Sequence, residues 1–461
     1  MIDKSRELAL KALYKIEIEN AYSNIILDEL LNENKEKLKL NAKDIGLISE
    51  IVYGVTTWRL TLDEIIKKYS KIKLKKVSPW IKNILRMGIY QIIFLDKIPK
   101  SAAVNESVNL AKRYGHSSSS GYVNAILRRV NKDDYKEFSN IEDYIDRISK
   151  IYAMPIWIIE ELLKEGLDKE QIENICKNSN LKPNLTIRVN RLKIKNKQIL
   201  VNQLKQENES IEIKEGILED FFIVKNIKNM DNLKSFKDGL FTVQDEGAGL
   251  ISLILEPKAE DEILDSCSSP GGKTSYIAEL AEDKSKIIAG DIHKHRVELV
   301  NNISKRLGIK SIKTILLDAT KYNEEYKEKF DKILLDVPCL GIGVLKRKPD
   351  IKWQKKKEDI KEISDIQYKI LENNAKYLKK GGELTYSTCS IFKEENENVI
   401  EKFLQNNKNF EMVNLRNILM KIENNNKEKY FEKYIREEKY IQIYQNEYTD
   451  GFFICKLKKK I

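Results

Sequence analysis

Apolar residues recur at three- and four-residue spacing through about the first 135 residues of the chain. The pattern runs through Leu8, Leu10, Ala12, Leu13 and Ile16, and again through Ile45, Leu47, Ile48, Ile51 and Val52. This spacing puts the apolar side chains on one face of an α-helix. Pro99 and the serine-rich stretch 115–121 punctuate the region. We therefore predict a compact helical bundle, with further helix over about 140–180.

The pattern changes between about residues 184 and 240. Segments 185–190 and 211–214 alternate apolar and polar residues, which is typical of half-buried strands. A helix-like stretch, 196–206, lies between them. The sequence predicts a small α+β insert here.

From about residue 241 onward, strand-like and helix-like segments take turns. The predicted strands cover 263–267, 287–291, 315–318, 333–336 and 383–388, with a late strand at 452–457. Such alternation predicts an α/β fold, an open parallel sheet with helices on both faces.

Size and composition favour a folded protein of two or three domains. The chain has 461 residues, of which 41% are hydrophobic and 33% are charged. No apolar run approaches the length of a membrane span, and no signal-peptide core follows the first residues. We therefore expect a cytoplasmic protein without a membrane partner.

The formal net charge of +11 makes a polyanionic partner such as nucleic acid plausible. Because the whole chain is rich in Lys, Ile and Asn, the net charge alone does not decide whether the protein binds nucleic acid.

The cysteines do not form a disulfide or zinc pattern. There are five of them, far apart and without Cys-x-x-Cys spacing, and the chain has only three histidines. We expect free thiols and no metal. Cys176 and Cys455 lie within a predicted helix and strand, where core packing is the better interpretation.

Four acidic residues end predicted strands. In a parallel sheet, ligands bind beyond the carboxyl ends of the strands. A ligand with hydroxyls and positive charge would suit this edge, which carries Asp265, Asp291, Asp318 and Asp336. The turn after the first strand contains Gly271 and Gly272, which allow close approach of a ligand to the backbone. It is neither the dinucleotide fingerprint nor a full phosphate loop, and a turn without a ligand is the alternative.

Two more cysteines follow neighbouring predicted strands at the same edge. Cys339 lies in the segment DVPCLGIG and Cys389 in YSTCS. Together with SCSSPGGKT, TYSTCSI and FTVQDEGAG, these segments resemble the RsmB/Sun-type RNA (cytosine-5) methyltransferases of bacterial 16S rRNA. In the N-terminal region, GVTTW, GIYQ, AAVNE and YVNAILR are similar to the NusB-type helical RNA-binding domain of that family.

The resemblance implies an enzyme that uses S-adenosylmethionine to methylate carbon 5 of a cytosine. It implies that Cys389 is the nucleophile, that Cys339 helps release the product and that Asp336 faces the cytosine. The implied contacts to S-adenosylmethionine are Cys267, Ser268, Ser269, Pro270, Gly271, Gly272, Lys273, Asp291, Asp318 and Asp336. Leu340 and Ile342 depart from the family, whose members usually have hydroxyl residues there.

The resemblance also implies a multi-domain architecture. We expect an all-α NusB-like RNA-binding domain at 1–140, a helical linker with a small α+β RNA-binding subdomain at 141–240, and a Rossmann-like methyltransferase domain at 241–461. The expected partner is RNA, 16S rRNA first, and not DNA, with the protein a monomer.

Several alternatives stay open. A tRNA or another RNA could be the substrate. A DNA cytosine methyltransferase would use the Pro-Cys thiol, Cys339, as its nucleophile, and the second thiol at Cys389 argues against it. A non-catalytic NusB-like RNA-binding factor is a different class. A nicotinamide-dependent oxidoreductase shares the sheet class but lacks its fingerprint here.

Overall fold

The computed structural model describes residues 3–227, 230–424 and 430–461, which form two compact units. The helical unit contains Met1–Leu181 together with Leu345–Lys357. The sheet unit contains Lys182–Val344 and Glu358–Ile461. The three-way division at residues 140 and 240 stays a prediction.

The helices are α1 (Lys4–Glu19), α2 (Ser23–Asn34), α3 (Ala42–Tyr69), α4 (Pro79–Phe94), α5 (Lys100–Tyr114), α6 (Ser119–Leu127), α7 (Asp133–Lys136), α8 (Tyr144–Tyr152), α9 (Ile156–Lys164), α10 (Lys169–Asn178), α11 (Lys197–Glu207), α12 (Lys234–Lys237), α13 (Glu246–Leu255), α14 (Gly272–Leu280), α15 (Lys294–Leu307), α16 (Ile351–Gln354), α17 (Asp359–Ala375), α18 (Glu397–Asn406) and α19 (Arg416–Asn424). The strands are β1 (Leu185–Val189), β2 (Glu212–Glu215), β3 (Phe221–Lys225), β4 (Phe241–Val243), β5 (Glu262–Asp265), β6 (Lys286–Asp291), β7 (Ile312–Leu316), β8 (Phe330–Asp336), β9 (Leu378–Thr388), β10 (Phe410–Met412), β11 (Ile435–Arg436), β12 (Tyr440–Ile443) and β13 (Phe452–Lys459).

The helical unit confirms the predicted bundle. Helix α3 begins at a capping box in which Asn41 and Asp44 satisfy each other's backbone N–H groups. The Gly54 position in α3 admits the ring of Tyr90 from α4, because a Cβ there would lie 1.9 Å from Tyr90 Cζ. Close helix packing of this kind explains the small residue inside the long helix.

Segment 345–357 belongs to the helical unit although it follows β8 in the chain. Trp353 Nε1 donates to the carbonyl oxygen of Thr56 over 2.6 Å. Ser23 Oγ donates to Asp350 Oδ2 over 2.7 Å. These bonds join the segment to α2 and α3. The local sequence pattern did not predict that this segment packs in the helical unit.

The sheet unit contains two sheets. The smaller one is antiparallel, in the order β2-β3-β1-β4. The larger one has the path β11-β12-β13-β9-β8-β5-β6-β7, with β10 paired to β13. Strands β7, β6, β5, β8 and β9 run parallel, as predicted.

Two expectations are corrected by these sheets. The larger sheet is mixed, since β13 pairs with β9 and β12 antiparallel; the short connection 444–451 favours antiparallel pairing of β12 with β13. Strand β1 is not half-buried, because its polar residues Thr186 and Arg188, and Asn190 directly after it, are all buried. The hydrogen bonds of the arginine and the asparagine go to protein groups instead of water: Arg188 donates to Glu279, and Asn190 donates to the Gly239 carbonyl.

No helix among the residues described is both long enough and apolar enough to pass through a lipid bilayer.

A buried ion cluster joins three adjacent strands of the larger sheet. Glu383 on β9 pairs with Lys332 on β8 and, at 2.9 Å, with Lys456 on β13. Burial raises the pKa of Glu383, but the two ammonium groups outweigh it and lower that pKa from 4.5 to about 2. The charged carboxylate therefore stabilises the fold above its ordinary pKa, and this contribution is lost as the pH falls through about 2.

We expect Glu383→Gln to lower the free energy of unfolding at neutral pH by about 3 kcal/mol, since it leaves two largely buried ammonium groups without their shared carboxylate. The difference from the wild type should shrink at about pH 3.5, where part of the carboxylate's contribution is already lost. Urea unfolding at both pH values measures it. Glu282→Gln, which removes only an exposed pair with Lys284, is the control and should change nothing measurable. Equal stability of Glu383→Gln and the control would contradict the role of the cluster.

Candidate active site

The turn after β5 forms one wall of the site. Asp265 ends the strand and accepts a hydrogen bond from Thr274 Oγ1 over 2.6 Å. Gly271 has φ +107°, a left-handed conformation that favours glycine, and α14 begins at the next residue. Ser268 ties the turn to β6, since its N–H and its Oγ both donate to the Gly290 carbonyl over 2.9 Å.

A cavity of about 180 Å³ lies at this turn. It is lined by Val243, Gln244, Ala248, Asp265, Cys267, Ser268, Ser269, Pro270, Gly272, Lys273 and Asp336. Most of the predicted cofactor turn is therefore brought together with Asp336, the residue predicted to face the substrate. A Cβ at Gly272 would meet nothing closer than Gln244 at 3.8 Å, so the glycine keeps this wall open.

Opposite charges meet in the cavity. Lys273 Nζ lies 2.8 Å from Asp336 Oδ2, and Ser387 Oγ donates to Asp336 Oδ1 over 2.9 Å. Burial would lower the pKa of Lys273, but Asp336 reverses the shift and raises it, so the ammonium stays charged. Burial raises the pKa of Asp265 to about 7. The cavity thus offers carboxyl groups and an ammonium within one small volume.

The two predicted catalytic sulfurs are neighbours. Strands β8 and β9 pair in parallel with Asp336 opposite Ser387, and a cysteine follows each strand. Cys339 Sγ lies 2.7 Å from Cys389 Sγ, and the Cys389 N–H donates to Cys339 Sγ over 3.3 Å. Both thiols are free and partly exposed, whereas Cys176 and Cys455 are free and buried, as predicted.

The contact between the thiols affects Cys339. The hydrogen bond with Cys389, followed by burial, raises the pKa of Cys339 well above its usual value. Burial also raises the pKa of Cys267, a thiol of the cavity lining.

A buried carboxylate holds the two cysteine loops together. Glu395 Oε2 accepts the Leu340 N–H over 2.9 Å and the Gln367 side-chain amide over 3.1 Å, while its other oxygen accepts Ser390 Oγ. Leu340 follows Cys339 and Ser390 follows Cys389, so one side chain fixes the residues next to both sulfurs.

A backbone contact supports the same arrangement. The Gly343 N–H donates to the Cys389 carbonyl, and the Gly451 N–H donates to the Gly343 carbonyl, each over 2.8 Å. A Cβ at Gly343 would lie 2.2 Å from the Gly451 oxygen, which explains the glycine. Leu340 and Ile342, which replace the usual hydroxyl residues, are both buried, so apolar packing takes the place of those hydroxyls.

Three of the predicted cofactor residues, Gly271, Asp291 and Asp318, lie outside the cavity lining among the residues described. Asp291 ends β6, accepts the His293 N–H over 3.1 Å and lies 3.4 Å from Arg296 Nε. Asp318 lies beyond the end of β7 and accepts Thr320 Oγ1 over 2.6 Å. Both remain at the same edge of the sheet, Asp291 at the end of β6, which pairs with β5, and Asp318 beyond the end of β7, which pairs with β6.

Sequence reasoning missed the supporting residues of the site. Ser387 could have been found, because it precedes Cys389 by two residues and polar residues at a strand end point to the ligand edge. Glu395 follows Cys389 by six residues, but its bridging role depends on a second loop, at Leu340, that is distant in sequence. The buried Arg188 gave no local signal, since an arginine in an alternating strand normally faces water.

Comparisons with known proteins agree with this architecture. Residues 252–458 match the family model "16S rRNA methyltransferase RsmB/F", residues 3–132 match the NusB family, and residues 154–219 match a ferredoxin-like domain of RsmF/B-like methyltransferases. The chain is 36% identical to the probable ribosomal RNA small subunit methyltransferase B of Bacillus subtilis, over 99% of this chain and 98% of that protein. The chain belongs to the RsmB/F methyltransferase family.

Other relatives extend the match. The ribosomal RNA small subunit methyltransferase B of Shewanella oneidensis is 32% identical over 87% of this chain and 89% of its own. The crystal structure of PH0851 superposes with a TM-score of 0.78 and 26% identity, covering 100% of both chains. As a member of the RsmB/F family, the protein has a NusB-like helical domain and an S-adenosylmethionine-dependent methyltransferase domain, as expected from the sequence.

The geometry of the thiol pair is testable without a substrate. Because the sulfurs are 2.7 Å apart, a mild thiol oxidant should form a Cys339–Cys389 disulfide readily in this RsmB/F protein. Glu395→Gln should slow this about tenfold, since an amide cannot accept from both loops and a charge-assisted hydrogen bond is lost. Mass spectrometry of the oxidised protein measures the rate. The matched control is Glu401→Gln on the exposed face of α18, and no difference between the two variants would contradict the bridging role.

Proposed function

We propose that the protein transfers a methyl group from S-adenosylmethionine to carbon 5 of a cytosine in 16S rRNA, through a covalent bond between Cys389 and the base. The observation that carries this proposal is the meeting of two sulfurs, 2.7 Å apart, on loops that follow the strands bearing Asp336 and Ser387. The printed names of the RsmB relatives support rRNA as the substrate.

The cavity residues fit the cofactor. S-adenosylmethionine carries an ammonium, a sulfonium, a carboxylate and ribose hydroxyls. The carboxyl groups of Asp265 and Asp336 suit its positive groups, and the start of α14 suits its carboxylate. Asp291 and Asp318, beyond the neighbouring strands, are proposed to hold the rest of the molecule, with Asp291 at the ribose. When bound, the cofactor would supply the electrophilic methyl group, and its sulfur would keep the electron pair of the broken bond as a neutral thioether.

The first step assigned to the chain is addition to the base. The Cys389 thiolate forms a bond to carbon 6, and the electron pair of the 5,6 double bond moves towards carbon 5, which becomes nucleophilic. Ring nitrogen 3 takes a proton from solvent as charge builds there and gives it up again on release. While protonated, it donates to the carboxylate of Asp336, which Lys273 and Ser387 hold in place. Carbon 5 then takes the methyl group.

The second step is release, and it is assigned to Cys339. Its raised pKa has two causes that come from Cys389, the hydrogen bond and the negative charge, and both weaken once Cys389 is a neutral thioether. Cys339 then gives its proton to solvent more easily and accepts the proton of carbon 5 as a base. The carbon 6–sulfur bond breaks, the double bond re-forms and Cys389 leaves as the thiolate. One proton is released overall, as methylation of a C–H bond requires.

The same pKa argument bears on the DNA-type alternative. That mechanism needs Cys339 as the attacking thiolate, and a thiol with a raised pKa is a poor source of thiolate. A non-catalytic RNA-binding factor would not need the paired thiols. A tRNA or another RNA is the second candidate substrate, because the site chemistry recognises a cytosine and not the RNA that carries it.

RNA binding and catalysis are proposed to belong to different domains. The NusB-like domain at 1–140 and the region 141–240 would bind RNA phosphates through Lys and Arg, consistent with the net charge of +11. The target cytosine would be turned out of its stack into the domain at 241–461. We propose a monomer that acts in the cytoplasm on RNA and not on DNA.

Cys389→Ser should abolish methyl transfer while leaving the affinity for S-adenosylmethionine unchanged, because the serine hydroxyl is a far weaker nucleophile and the cavity lining does not include this residue. Radiolabel transfer to 16S rRNA and calorimetric titration measure the two effects. The buried Cys176→Ala is the control and should keep full transfer. Normal turnover by Cys389→Ser would refute the assignment.

Cys339→Ser should accumulate a covalent protein–RNA adduct, since addition through Cys389 proceeds and the base for release is missing. Denaturing gel electrophoresis detects the adduct, and Cys339→Ser with Cys389→Ser should form none. Free enzyme with normal release would count against the role of Cys339. Bisulfite sequencing of rRNA from cells with and without the protein identifies the cytosine; unchanged rRNA together with a changed tRNA position would move the proposal to tRNA.

A further inference from the structure

Gln244 is a buried residue in the cavity wall for which the chemistry above has no use. It follows β4, is 7% exposed and lies beside Gly272, where α14 begins. Its side chain ends in an amide, with an oxygen that accepts hydrogen bonds and an NH₂ group that donates them.

Arg188 fixes which way this amide faces. The Arg188 guanidinium is fully buried, lies 2.6 Å from Glu279 and donates to the Gly272 carbonyl over 2.9 Å. It also donates to Gln244 Oε1. Because a guanidinium has donors only, the amide oxygen must face Arg188. The NH₂ group of Gln244 must therefore face away from it.

That NH₂ group lacks an acceptor. Within the described ranges, the buried Gln244 Nε2 has no hydrogen-bond partner. Leaving a buried donor unsatisfied is unfavourable, and in native proteins such a group calls for a partner. Gln244 lines the cavity, so a ligand that fills the cavity is the natural source of the acceptor.

The position of the amide selects among the groups of the cofactor. Gln244 lies at the start of α14, where the helix N-terminus favours negative charge. The carboxyl groups of Asp265 and Asp336, which line the same cavity, are acceptors and suit positive groups, whereas the NH₂ group of Gln244 is a donor and suits an anion. The carboxylate of the methionine half is the anionic group of S-adenosylmethionine. We propose that Gln244 Nε2 donates a hydrogen bond to this carboxylate, with Arg188 as the positioning residue.

The proposal concerns recognition of the cofactor and rests on the S-adenosylmethionine dependence of the family. It does not involve the thiols or the RNA. Its test is therefore a binding measurement on the full-length protein, whose outcome does not depend on whether cytosine is the base or Cys389 the nucleophile.

Two variants separate the amide's hydrogen bond from its packing. Gln244→Leu removes both polar ends. Gln244→Glu keeps an oxygen for Arg188 but replaces the NH₂ group with a second carboxylate oxygen, which repels an anion. Ser275→Ala is the matched control, because it removes another acceptor of Arg188, at 3.1 Å, and leaves Gln244 in place.

Calorimetric titration compares S-adenosylmethionine with 5′-methylthioadenosine, which lacks the amino-acid half. We expect Gln244→Leu to weaken binding of S-adenosylmethionine about tenfold or more, and Gln244→Glu to weaken it further, since hydrogen bonds to charged groups are the stronger ones. The affinity for 5′-methylthioadenosine should change little. Ser275→Ala should bind both ligands as the wild type does.

Three results would overturn the proposal. Unchanged binding of S-adenosylmethionine by both Gln244 variants would show that Gln244 makes no hydrogen bond to the cofactor. An equal loss for the two ligands would assign Gln244 a purely structural role. A selective loss in Ser275→Ala as large as in Gln244→Leu would assign the effect to the Arg188 cluster. If Gln244→Leu fails to fold, Gln244→Glu, which retains the Arg188 pairing, carries the test alone.

Discussion

The site depends on the parallel pairing of β8 with β9. This pairing sets Asp336 opposite Ser387, so the loops that follow the two strands leave the sheet side by side. Neighbouring strands are about 4.8 Å apart, and only loops that leave adjacent strands can bring two sulfurs as close as 2.7 Å without a long detour. A one-residue shift of the register would turn Asp336 and Ser387 to opposite faces of the sheet and separate the carboxyl group from the serine that supports it.

The pairing alone would not hold the sulfurs in place, because loops beyond strand ends are the mobile part of a sheet. Glu395 supplies the constraint by accepting hydrogen bonds from residues next to both cysteines. The Gly343–Cys389 backbone bond adds a second tie, and it requires the absence of a side chain at Gly343. The thiols are thus positioned by buried hydrogen bonds while they remain partly exposed themselves, which is the arrangement that a nucleophile acting on a large substrate needs.

Much of this organisation follows from local sequence, and the exceptions have a common cause. The helical bundle, the parallel strands and the acidic strand ends were predictable, since periodicity and turn residues act over a few positions. The buried polar face of β1 was not, because the main partner of Arg188 is Glu279, which is distant in sequence. The packing of segment 345–357 in the helical unit was not predictable for the same reason, because Trp353 bonds to Thr56, which is distant in sequence. Of the candidate site, the sequence indicated the residues proposed to react and not those that orient them.

The Arg188 cluster illustrates why orienting residues resist prediction. A fully buried ion pair such as Arg188–Glu279 contributes little net stability, because desolvation of both charges offsets their attraction, and an apolar pair of the same volume would often fold as well. Stability therefore gives no reason for an arginine at this position of a strand. An apolar side chain could not, however, hold the Gly272 carbonyl and the Gln244 oxygen at once. The cluster fixes the direction of the hydrogen-bond donors at the cavity wall. This orientation depends on hydrogen bonds between residues that are distant in sequence and come into contact only in the folded chain.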